Sequence, residues 1–366
     1  MSRHFARLCT KIGMLCLCAS ILGCQAEVES GPESAFEEQP SPRILLPNGI
    51  VYKSSTLAGP SAVEWMGTQL VVLDPMGDSL VKVFDVASGI LERSFGRRGK
   101  GPGEFSGAWG FDAPERQKGF IWIYDVQLRR LTRVHLQANP RTGWKLGEHL
   151  IHLLSEFTVN SPVFLHDGSI VSPALMSHAG RVARFDSAGT LLGISGPAPP
   201  APQGVPLRVA QHAYQSIART NPSRTMFVLA TRHADQLEIY RSDGALVTIA
   251  RGRNPFTPTY TVRMSRGQPE LATNDELRFG YVGLATTENR IYALYSGKSR
   301  AEAPGRANYG SVIRVSDWNG TFRESWSLRQ STLGIAVDSA GRTLYAVRHD
   351  PEPAIVAYTI PEEARE

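Results

Sequence analysis

The chain has 366 residues, 42% of them hydrophobic and 20% charged, with a formal net charge of +5. That balance excludes an intrinsically disordered protein and supplies enough apolar residues for a sizeable core. All four cysteines (Cys9, Cys16, Cys18, Cys24) fall within the first 24 residues, so the rest of the chain holds no disulfide, thiolate metal site or cysteine nucleophile.

The first 23 residues read as a targeting segment. Arg3, Arg7 and Lys11 precede the short apolar run IGMLCLCASILG (12–23), which is too short for an ordinary spanning helix. The run ends in ILGC (21–24), which resembles the lipobox of bacterial lipoprotein signal peptides. That resemblance implies lipid on the Cys24 thiol and cleavage before it. Gln25 follows, a pattern similar to that of lipoproteins sent to the outer membrane. No later segment has 18 consecutive apolar residues. Residues 24–42 carry five Glu and three Pro and little that packs, which reads as a disordered acidic tether. Setting aside the three leader cations and the five tether glutamates leaves a balance of +7 on the remainder.

From residue 61 the chain repeats weakly every 50 residues or so, a period typical of propeller blades. Each of six units has a central β-branched and aromatic strand: LVVLD, FIWIYD, SIVSPAL, TMFVLAT, RIYALYS and TLYAVRH. A strand precedes each (AVEWM, AWGFDA, SPVFL, YQSIA, YVGLAT, LGIAVD), with turn residues such as HDG or NPSR between them. A third strand follows each, from LVKVFD to AIVAYTI. A fourth appears five times: ILERSF, WKLGEHL, LLGIS, ALVTIA and FRESWSL. The sixth unit lacks one, and RILLPNGIVYKSS (43–55) is available to supply it. The expected fold is an all-β, six-bladed propeller over residues 43–361, closed by an N-terminal strand and followed by a short tail, 362–366. No stretch reads as a helix longer than a turn or two; the best candidate for a short one is ELATNDELRF (270–279).

The segment GRRGKGPGEF (96–105) lies between the fourth strand of unit one and the first of unit two. It resembles the inter-blade segment of NHL-type propellers. The stretches IYALYSGK (291–298), VSDWNG (315–320), GIAVD (334–338) and IVAYTI (355–360) resemble the TolB-like six-bladed propeller lipoproteins. The resemblance implies the propeller fold and an envelope address. It implies no particular reaction.

Phosphate-loop chemistry finds no support. GKS (297–299) has Tyr292 where a Walker pattern needs glycine, and neither G-x-S-x-G nor H-E-x-x-H occurs. No catalytic residue, cofactor or metal ligand is assigned, although His178, His233 and His349 occupy equivalent loops. In a four-stranded blade the 4-to-1 and 2-to-3 connections share one face. The long insertions 96–106, 196–213, 251–280 and 297–310 therefore crowd one rim, where function usually lies. That rim carries Arg97, Arg98, Lys100, Arg251, Arg253, Lys298 and Arg300 as candidate partner-binding residues. Arg224, in a turn of the opposite face, reads as ordinary surface.

Two functions follow as expectations. The first is a non-enzymatic, lipid-anchored monomer at the bacterial outer membrane. It would bind a protein or glycan, and no nucleic acid, through its long-loop face. The second is an NHL-like propeller lyase, lactonase or esterase with a metal in the central channel.

Overall fold

A computed structural model of the chain describes residues 33–35, 42–53, 55, 57–136 and 149–362. The leader, Cys24 and most of the expected tether lie outside the described residues.

Six antiparallel sheets follow one another around a ring, each entered at its innermost strand. The first comprises Ala62–Trp65, Gln69–Leu73, Val81–Asp85 and Leu91–Phe95. The second runs Ala108–Asp112, Phe120–Asp125, Arg130–His135 and Leu150–His152. Most of the expected fourth strand WKLGEHL (144–150) lies outside the described residues, and the described strand continues it at Leu150–His152. In the third sheet the inner strand is broken. Thr158–Val159 and Val163–Phe164 pair with opposite ends of Ile170–Leu175, and Ser161 between them has φ 60°. The fourth and fifth sheets begin at Ser216–Thr220 and Tyr281–Thr286.

The sixth sheet takes its outer strand from the N-terminal segment. Pro47–Tyr52 lies antiparallel to Ala354–Thr359, with Val51 opposite Val356. Two further short strands cover sheet edges in parallel fashion. Arg43–Leu45 pairs with the outer strand of the fifth sheet, and Glu33–Ala35 pairs with Ile249, Ala250 and Arg251 of the fourth. The latter departs from the structureless tether read from composition. Edge pairing is made by backbone groups, so acidic side chains do not prevent it.

The alternating pattern explains the core. Wherever two sheets face each other, their apolar residues form one cluster, so there are six such seams. Tyr52 of the N-terminal strand sits in the seam between the sixth and first sheets, 1% exposed, and its hydroxyl donates to the Val86 carbonyl at 2.9 Å.

The best candidate for a short helix, 270–279, does not form one. Thr261–Ser265 and Gln268–Ala272 form a hairpin instead, turned by Arg266 and Gly267, both at positive φ. Two consecutive left-handed residues are the geometry of a tight hairpin turn, and this local signal overrides helix propensity. The α-helix of the described residues lies in another insertion, at Leu207–Ala213.

Candidate functional site

The connector 96–107 is built to close on itself. Glu104 accepts from the Gly101 amide at 2.9 Å and from Arg97 Nε at 2.8 Å, and these bonds, in that order, hold its carboxyl below the usual range. Gly99, at φ 153°, lies so near the Glu104 carboxylate that a Cβ there would come within 2.1 Å of it. Phe105 is fully buried in the seam between the first two sheets. Arg130 donates to the carbonyls of Lys100 and Glu104 from below, at 3.2 and 2.6 Å. The glycine-rich basic segment is thus an inter-blade connector, its carbonyls and Glu104 occupied internally.

The sequence-derived rim residues fall into two groups across the ring. Arg97, Arg98 and Lys100 lie between the first and second sheets. Arg97 is ion-paired to Glu104, and Arg98 donates to the Pro75 carbonyl at 2.8 Å. Arg251, Arg253, Lys298 and Arg300 belong to the fourth and fifth sheets. Arg251 is half-buried and donates to Gln236 at 3.1 Å, whereas Arg253 and Lys298 are exposed. Arg300 donates to Thr273 at 3.2 Å, and its guanidinium lies 6.0 Å from the Phe279 ring centroid.

The centre of this face holds a residue that the rim argument missed. Arg232 opens the turn between the second and third strands of the fourth sheet. Its amide donates to Gln215 at 2.7 Å, and its carbonyl accepts from Gly280 at 2.8 Å. The approach requires glycine at 280, because a Cβ there would meet the Ala234 carbonyl oxygen at 2.0 Å. So fixed, the half-buried guanidinium lies 5.8 Å from the Trp109 ring centroid and 5.5 Å from that of Phe279. Trp109 comes from the second sheet and is 40% exposed.

Other deep arginines of the fold have acceptors: Arg130 has the backbone carbonyls already described, and two more have carboxylates. Arg181 meets Glu238 at 2.8 Å, with Tyr240 donating to the same group at 2.7 Å. Arg314 meets Asp235 at 2.6 Å. Among the described residues the Arg232 side chain has neither an ion pair nor a hydrogen bond, only its two rings. Burial, and then the like charge of Arg300, push its pKa down. Its neighbour His233 is buried edge-on against Phe279, and its Nδ1 has no partner. Burial, and then the Arg232 charge, lower the His233 pKa to about 3, so the ring is neutral at pH 7. Nearby, Gln211 is fully buried and its Oε1 is also without a partner.

The three loop histidines do not meet. His349 faces the Tyr309 hydroxyl at 3.0 Å and the Pro60 carbonyl at 2.8 Å. Among the described residues no three metal-ligating side chains come together.

The opposite face carries a feature that the turn pattern gave no sign of. A cavity of about 560 Å³ lies at the short-turn end of the central channel, lined by the inner strands and 1-to-2 turns of five sheets. Arg224, expected to be ordinary surface, has a side chain only 13% exposed. It forks onto Asp112 and donates to the Phe164 carbonyl at 2.7 Å. A turn residue in the left-handed region, φ 59°, aims inward here because a buried carboxylate receives it.

Among the described residues no helix is long and apolar enough to cross a membrane. No curated protein sequence matches the chain. In fold it is similar to a putative exported protein from Bacteroides fragilis, at 12% identity and TM-score 0.54, over 91% of this chain and 99% of that one. It is likewise similar to a member of the duf4221 family from Bacteroides vulgatus, at 14% identity and TM-score 0.54, over 86% and 94%. At such identities the likeness concerns the fold alone. The profile of the TolB-like 6-blade propeller-like family matches residues 42–340, most of the length of the ring, and the chain belongs to that family.

Proposed function

We propose that this protein is a non-enzymatic binding scaffold of the bacterial envelope, held at the outer membrane by lipid on Cys24. Its long-loop face takes an acidic protein or glycan partner. The observation that carries the reading is Arg232, a cation at the centre of that face with aromatic rings and, among the described residues, no anion bonded to it. A guanidinium so placed is partly dehydrated before any partner arrives, which strengthens a later bond to a carboxylate. Exposed Trp109 offers a flat apolar surface next to it, the pairing of residue types that dominates binding hot spots. Arg300, Arg253 and Lys298 add a screened, longer-range attraction. The family assignment supports the envelope address.

Capture of the partner from intact envelopes tests the reading. Wild-type protein retains an acidic partner that added salt releases, and Arg232→Glu retains none. Retention of the same partner by Arg232→Glu would overturn it.

A further inference from the structure

The cavity on the short-turn face lies at the opposite end of the channel from Arg232 and calls for a different ligand. Its charged lining can be paired off residue by residue. Glu64 receives Arg116, Glu115 receives Arg133 at 2.7 Å and Lys118 at 3.7 Å, and Asp112 receives Arg224 at 2.9 Å. Every lining carboxylate is thereby neutralised. With Arg133 counted, five cations stand against these three carboxylates; among the described residues Arg219 is the one with no carboxylate in hydrogen-bond range, although its charge reaches Asp112. Arg219, on the inner strand of the fourth sheet, is half-buried, and its guanidinium makes a single bond, from Nη1 to the neighbouring Ala218 carbonyl at 3.0 Å. Its remaining donors face the cavity without a protein acceptor among the described residues.

The far wall differs in kind. Leu284, Ile335 and Val337 line it from the fifth and sixth sheets. At about 560 Å³ the space is of the size of small-molecule sites, which run from roughly 300 to 1,000 Å³ and pair an apolar lining with a few placed polar groups.

We infer that this cavity binds a small monocarboxylate, its carboxylate forked by Arg219 and its apolar body against Leu284, Ile335 and Val337. The planar fork of arginine matches the two oxygens of a carboxylate. The site is separate from the long-loop face, so the two proposals stand or fall independently.

The test is titration of the purified protein with octanoate, octylamine and inorganic phosphate up to millimolar concentration, followed by calorimetry and by the thermal midpoint. Octanoate is expected to bind and to raise the midpoint, and the other two to do neither. Arg219→Gln weakens octanoate binding roughly tenfold or more, the range for loss of a charge-assisted hydrogen bond, while Arg342→Gln, exposed elsewhere on the same face, leaves it unchanged. Should Arg219→Gln fold poorly, Arg219→Lys keeps the charge without the fork and gives an intermediate affinity. Failure of octanoate to bind, equal binding of octylamine or phosphate, or wild-type affinity in both Arg219 variants would each overturn the assignment.

Discussion

Arg224 of the fourth sheet and Asp112 of the second are joined by two parallel hydrogen bonds, Nη1 to Oδ2 at 2.9 Å and Nη2 to Oδ1 at 3.0 Å. The same carboxylate accepts from the Phe164 amide of the third sheet at 2.7 Å, so one acid ties three blades together. Burial alone would raise the Asp112 pKa, but the Arg224 charge and these bonds hold it low. Asp112→Ala leaves a buried guanidinium and an amide without partners. It is expected to cost about 3–5 kcal/mol in urea unfolding, the usual penalty for breaking a buried pair on one side. Replacing both residues by apolar ones (Asp112→Leu with Arg224→Met) should recover most of that loss. A single-variant cost below about 1 kcal/mol would show that the clasp contributes no more than a surface pair.

His233 gives the ring a pH dependence of known sign. Its folded pKa, about 3, lies below the ordinary value of 6.5, so the unfolded chain binds the extra proton between these values. The stabilisation from keeping it neutral is complete above pH 6.5 and is lost as the pH falls below that. The slope approaches about 1.4 kcal/mol per pH unit for one group. Carboxylates add their own acid sensitivity, so the comparison is with His233→Phe, which keeps a ring against Phe279. Unfolding free energies measured from pH 6.5 down to about 5 should fall more steeply for the wild type. Parallel profiles would contradict the assignment.

Tyr52 of the N-terminal strand is 1% exposed. It touches Phe84 of the first sheet and Tyr345 of the sixth, with ring centroids 6.5 and 6.0 Å away. Tyr52→Ala is expected to cost about 3–5 kcal/mol, as for other buried aromatics. A chain beginning after residue 53 loses the whole outer strand and should melt far below one beginning after residue 42. Equal midpoints for the two would mean that the strand does not close the ring.

How far the sequence disclosed this molecule depends on the scale of the feature. Six-fold repetition and strand alternation made the sheets legible, since burying one face of each strand enforces a period of two. The GPGEF connector was legible too, because Phe105 has nowhere to go but the seam. The hairpin at 261–272 was not, as ELATND also reads as helix and the Arg266-Gly267 turn decides the matter. Arg232 and Arg219 escaped notice for a different reason. An arginine's role depends on whether a carboxylate comes to meet it, and those partners are brought or withheld by other blades. The Arg232-His233 pair in a 2-to-3 turn was the one local signal, and it carried no information about the rings around it. Arg97 shows the converse, a cation that looks available until Glu104 folds back upon it.

The address is tested at Cys24, which lies outside the described residues. Its thiol is the expected attachment point for lipid. Cys24→Ala should leave the precursor unprocessed or release soluble protein. Fractionation after feeding a labelled fatty acid measures this, and label retained by the variant would refute lipidation there.

The long-loop face is probed most directly by site-specific photo-crosslinking in intact cells. A crosslinking residue replaces exposed Asn254 on that face or exposed Arg342 on the other. The account predicts a discrete adduct from position 254, diminished by high salt and abolished when Arg232→Gln is introduced, with none from position 342. An adduct at 254 that is indifferent to Arg232→Gln, or the same adduct from both faces, would contradict it.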